Sequence, residues 1–115
     1  MTRKTLGTTA LPDKVQVAIQ KLGMDIKLAR QRRVMTQEAL AKNMFVTAKT
    51  VRRVEAGDPG VSLGVYASAL FVLGFADRLA QIAAPETDQF ANWQQRHNMP
   101  KRVRQKKDKD DRLDF

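Results

Sequence analysis

The chain has 115 residues, enough for one compact domain with short tails. Its 21 Lys and Arg against 12 Asp and Glu leave a formal charge of +9, which favours a polyanionic partner, either nucleic acid or an anionic membrane. The absence of cysteine excludes disulfides and thiolate–metal sites and is compatible with a reducing cytoplasm.

Residues 1–10 are polar and Thr-rich, lack the apolar core of a signal peptide and read as a flexible arm. Pro12 and Asp13 supply a helix start. Val15, Ile19, Leu22, Ile26 and Ala29 then recur at alternating steps of four and three, which predicts one apolar stripe on a helix running to about Arg32. Gly23 lies inside it at a cost of about 1 kcal/mol relative to Ala and marks a close helix contact.

From Thr36 to Gly57 the sequence reads as two short helices joined by a tight turn. Thr36 and Thr47 are suited to cap them, and Gly57 to close the second as a left-handed residue. Leu40, Ala41, Val46, Val51 and Val54 can form one small core, with Ala41 leaving room for two steeply crossing helices. Thr47, Ala48, Lys49 and Arg52 are expected on the exposed face of the second helix, with Arg53 beside them. Between Asp25 and Gly57 there are eight cations (Lys27, Arg30, Arg32, Arg33, Lys42, Lys49, Arg52, Arg53) and three anions (Asp25, Glu38, Glu55). Positive charge is therefore concentrated on this segment.

Asp58-Pro59-Gly60 predicts a turn. Ser62 starts a helix bearing Leu63, Val65, Tyr66, Ala69, Leu70, Val72 and Leu73, apolar nearly all round and therefore expected at the centre. Gly74 ends it, and Asp77 to Ala83 are expected to form a fifth helix with Leu79 and Ile82 facing inward. The uncharged run between Asp58 and Asp77 is broken by Gly, Pro and Ser and falls short of the roughly 20 apolar residues of a membrane span. Pro85 to Asp88 form a break, Phe90 and Trp93 follow three apart, and from Lys101 the charged tail is expected to be disordered in isolation. The pattern gives an all-α chain divided into an arm at 1–10, a domain at 11–84 and a C-terminal extension at 85–115.

Catalysis finds little support. His97 is the one histidine and lies in a polar stretch, Ser62 and Ser68 suit a cap and a packed hydroxyl, and no phosphate-loop or metal-ligand spacing occurs. Neither an enzyme activity, a cofactor nor a metal is expected.

The residues Thr36-Gln37, Leu40-Ala41, Thr50-Val51-Arg52-Arg53-Val54-Glu55 and Gly57 resemble the Cro/C1-type helix-turn-helix family, also called XRE. The resemblance implies a five-helix, lambda-repressor-like domain with a flexible basic C-terminal tail. Its first short helix would lie against the DNA backbone and its second in the major groove. The N–H groups at a helix start favour an anion, so Thr36 and Gln37 read as a phosphate clamp, and Arg53 reads as a phosphate contact. The family pattern places the Gln37 side chain near the backbone and the first base contacts, with Thr47, Ala48, Lys49 and Arg52 facing base edges. Arg30 and Glu55 stand where the family has a structural ion pair. The turn departs from the pattern, with Phe45 where a Gly is usual. Because a bulky residue at positive φ costs about 1–3 kcal/mol, a different turn with Phe45 buried is expected.

The stretches LARQRRVMTQEALA, VEAGDPGVSLGVYASALFVLGF and PKRVR are also similar to HipB-type antitoxins. That resemblance implies a homodimeric repressor of its own operon, acting on a palindromic operator and bound to a HipA-type serine/threonine kinase toxin. The alternatives are a phage or stand-alone repressor and an interaction adaptor that does not read DNA. Phe90 and Trp93 are candidates for a partner or dimer anchor, or for packing on the chain itself.

Overall fold

The structure, a computed structural model, describes residues 10–98. The expected N-terminal arm, apart from Ala10, and the expected charged tail lie outside the described residues. Within them the fold is all-α, with no strand. It divides into two compact units, one ending at Ala80 and one beginning at Gln81.

In the first unit, α1 (Asp13–Arg32) carries the stripe that ends in buried Ile26 and Ala29. Helix α2 (Gln37–Met44) begins at Thr36, whose hydroxyl accepts the Ala39 N–H at 3.0 Å. Helix α3 (Ala48–Glu55) begins at Thr47, which accepts the Thr50 N–H at 3.2 Å. Each hydroxyl satisfies an N–H that the helix cannot bond internally. Helix α4 (Leu63–Leu73) is capped by Ser62 and closed by Gly74 at φ 91°, and the short α5 (Ala76–Ala80) follows.

Helix α3 packs against α1 and α2, and α4 packs against the same two helices. Their shared core holds the inaccessible side chains Ile26, Leu40, Val51 and Val54, with Ala41, Met44, Tyr66, Ala69, Leu70 and Leu73 around them. Gly23 lies on α1 where the end of α3 crosses it. A Cβ there would stand 2.5 Å from the Val54 carbonyl oxygen and 2.8 Å from that of Glu55. The approach is possible because the residue has no side chain.

Three expectations about this unit need correction. Helix α4 is not buried all round: Leu63 and Phe71, eight residues apart on one face, are exposed. A helix apolar nearly all round has no charged face to show which side lies inward, and its buried residues are Tyr66, Ala69, Leu70 and Leu73. The fifth helix stops at Ala80, and Ile82 is 75% exposed. Residues 81–83 form turns, and Ala84, which precedes Pro85, is extended, as the proline ring favours in its neighbour. Phe45 is not a core residue and is described with the site below.

In the second unit a 3-10 turn (Pro85–Thr87) leads into α6 (Gln89–His97), a sixth α-helix beyond the five expected. Asp88 caps it by accepting the Ala91 N–H at 3.1 Å, and the Asn92 amide donates back to the Pro85 carbonyl at 3.1 Å. Phe90 and Trp93 are exposed on this helix, and the His97 ring stacks on Trp93 with centroids 4.2 Å apart. The imidazole is thus held against an indole rather than simply solvated. Among the described residues no helix is long and apolar enough to cross a membrane.

Candidate nucleic-acid interface

Helix α3 buries Val51, Val54 and Glu55, so with about 3.6 residues per turn Lys49, Arg53 and Ala56 fall on its outer side and Arg52 flanks them. Thr47, Lys49 and Arg52 are exposed, and among the described residues no side chain pairs with either cation. Ala48 departs from expectation: it is half-buried and packs against the core, because it shares the inner face with Val51 and Glu55. The outer surface is therefore more cationic and less apolar than its sequence suggests.

The other end of α3 is fastened by a buried ion pair. Arg30, on α1, is 8% exposed and Glu55 6%. The Arg30 Nε–H donates to Glu55 Oε2 at 2.6 Å and its Nη2 to Oε1 at 3.2 Å, while Nη1 donates to the Met35 carbonyl at 2.8 Å. This two-pronged geometry fixes the relative angle as well as the charge balance. Gln37 joins the same group, its amide donating to Glu55 Oε1 at 2.9 Å. The Gln37 side chain thus commits one of its two amide hydrogens to the ion pair. Thr36 is exposed but already accepts its capping bond. The Thr36 hydroxyl hydrogen is not used by that bond, so it and the backbone N–H groups of the first turn are the donors offered to an anion at the start of α2.

Arg53 is not a free cation. Its Nε donates to Asp58 Oδ2 at 2.8 Å, and both side chains are about one-third exposed. Asp58 Oδ1 accepts the Gly60 N–H at 2.7 Å, an Asx turn of the kind that an Asp-Pro-Gly sequence allows. The Tyr66 hydroxyl donates to the Asp58 carbonyl at 2.8 Å. Burial, and next the Asp58 carboxylate, push the Tyr66 phenol up to about 12, with Arg53 opposing them. Sequence reasoning found neither Asp58 nor Tyr66 here. The Asx turn had a local signal; the pairing of Arg53 with Asp58 across a helix end had none.

The connection between α2 and α3 corrects the expectation for Phe45. The residue adopts φ 60°, ψ 40° and is 94% exposed. The left-handed turn is kept despite the missing glycine, because Phe45 must close α2 while Val46 turns inward to pack on the core. Val34, after α1, does the same at φ 54° and is 93% exposed. Neither strained side chain gains packing in return. Of the other basic residues near α2, Arg32 is exposed, whereas Arg33 folds back to donate to the Ala29 carbonyl at 2.8 Å. Among the described residues no cluster of three metal-ligating side chains occurs.

No protein-family model, curated protein or solved structure matches this chain.

Proposed function

We propose that the chain is a sequence-specific DNA-binding repressor in which α3 enters the major groove and the N-terminus of α2 meets the phosphate backbone. The observation that carries this reading is the two-sided character of α3. One side is wedged into the core and locked by Arg30 and Glu55, and the other presents Lys49, Arg52 and Arg53. A rigidly mounted helix with a cationic outer face matches the demands of groove reading, where phosphate attraction brings the helix in and base edges select the site. One such helix reads only a few base pairs, so the protein acts as a homodimer on a palindromic operator. It is non-enzymatic and cytoplasmic, and needs no cofactor.

By its resemblance to HipB-type proteins it is an autoregulatory antitoxin that also binds a HipA-type serine/threonine kinase toxin. Phe90 and Trp93, both exposed, offer an anchor either to that partner or to the second copy in the dimer. The runner-up readings are a repressor without a toxin and an adaptor that does not read DNA.

Enrichment of short randomised duplexes on the full chain tests the DNA claim. One sequence class should emerge, and Lys49→Ala or Arg52→Ala should each weaken it by about 1–3 kcal/mol. Failure to enrich any duplex, or indifference to both substitutions, would favour the adaptor. Co-purification with the kinase-like product of a neighbouring gene tests the antitoxin claim, which fails if no such product binds.

A further inference from the structure

Resting on the DNA-binding reading, we propose that Arg53 reads a guanine in the major groove and that Asp58 is the positioning residue that aims it. From sequence, Arg53 was expected at a phosphate. Two features of the structure point elsewhere.

The first is place. Lys49 and Arg53 are four residues apart, so they sit one above the other on the side of α3 opposite buried Val51 and Val54. Arg53 therefore belongs to the face that would point into the groove, rather than to its flank.

The second is charge. A carboxylate 2.8 Å from the guanidinium offsets much of the net positive charge that a phosphate contact uses. It also sets a second negative group where the phosphate would come. A base edge is neutral and asks for hydrogen bonds instead. With Asp58 on the Nε edge, the end-on fork of Nη1 and Nη2 keeps the parallel N–H pair that matches guanine O6 and N7.

Asp58 is built to hold still. Its N–H donates to the Arg53 carbonyl at 3.1 Å, its Oδ1 takes the Gly60 N–H, and its carbonyl takes the Tyr66 hydroxyl. Tyr66 is itself buried in the core, so the chain of contacts runs from the packed interior to the guanidinium. Gly60 completes the arrangement: a Cβ there would lie 3.3 Å from Arg53 Nη2 and 3.1 Å from Asp58 Oδ1. A side chain at position 60 would crowd the pair.

The test uses full-length protein and the site enriched from randomised duplexes, with each base pair of that site changed in turn and binding measured over a range of salt. Arg53→Lys keeps the charge and loses the fork. It should flatten the preference for G·C at one position by about 5- to 150-fold and leave the salt slope unchanged. Asp58→Asn keeps the oxygen that accepts from Gly60. It should flatten the same position while binding to scrambled duplex holds or rises, since a negative charge is gone. Thermal melts confirm that both variants fold.

Simple charge repulsion predicts the opposite for Asp58→Asn, tighter binding to every duplex in equal measure, and that result overturns the proposal. So does a base preference that survives in both variants while Lys49→Ala loses its own; DNA reading then stands without this role. A wild-type chain that enriches no sequence overturns both.

Discussion

Replacing Gly23 by Ala should destabilise the first unit, although the same change in most helices is favourable. On an open helix surface Ala gains about 1 kcal/mol over Gly, because it loses less backbone freedom on folding. At position 23 the new methyl would lie 2.5 Å from the Val54 oxygen and 2.8 Å from both the Glu55 oxygen and the Gly57 nitrogen. These are backbone atoms at the end of α3 and cannot rotate away as a side chain would. Helices α1 and α3 must separate, opening the core around Ile26 and Val54 and stretching the pair of Arg30 and Glu55. Overpacking costs about 1–3 kcal/mol, and immovable neighbours place this case at the upper end. Subtracting the propensity gain leaves a loss of about 2 kcal/mol. For a unit of this size that lowers Tm by about 8–16 °C, read from helical circular dichroism during thermal unfolding. Gly64→Ala is the internal control: on α4 its Cβ would meet only the Ser62 hydroxyl, at 3.8 Å, and stability should rise by about 0.5 kcal/mol. A neutral or stabilising Gly23→Ala would refute the close approach of α1 to α3 on which this reasoning depends.

Phe45→Gly should act in the other direction. The residue sits at φ 60° with its ring in solvent, so glycine relieves about 1 kcal/mol of backbone strain and empties no core, raising Tm by about 4–8 °C; a fall in Tm would mean that the ring is packed. Tyr66 should make stability decline at high pH. Its pKa near 12 exceeds the unfolded value of about 10, so the unfolded chain releases the proton first. The contribution is complete below about pH 10 and is lost as pH rises to about 12, by up to about 2–3 kcal/mol. Urea midpoints of wild type and Tyr66→Phe compared across that window isolate the effect; parallel curves would contradict it.

What was legible in the sequence is what local rules govern. The stripe from Val15 to Ala29 specifies α1 through its own period, and the Thr36, Thr47 and Ser62 caps need only the three residues that follow them. Gly57 and Gly74 close helices because their conformation is cheap only for glycine. What was illegible depends on elements meeting. Phe45 takes the conformation expected of glycine because the helices on either side are anchored by Leu40, Ala41, Val51 and Val54; the turn between them has no other path. Gln37 turns inward because Glu55, eighteen residues on, lies within reach of its amide. The Asp58 carboxylate meets Arg53 only after Gly57 has reversed the chain.

These tertiary features converge on the same short stretch. Between Val54 and Asp58 the chain takes the close approach of Gly23, the bidentate bond from Arg30, the amide of Gln37 and the hydroxyl of Tyr66. They come from α1, α2 and α4: α1 and α2 hold the C-terminal end of α3, and α4 holds the turn that follows it. The N-terminal half is held by the Thr47 cap and by the packing of Val46, Ala48 and Val51. Such a mount fixes the helix axis without touching Lys49 or Arg52. Under the proposed function the two demands on α3 are thereby separated: its C-terminal end sets the angle of approach, and the exposed side chains toward its N-terminus are free to vary with the site that is read. Arg53, the one cation on the face tied to the mount through Asp58, is the side chain whose aim the fold itself determines.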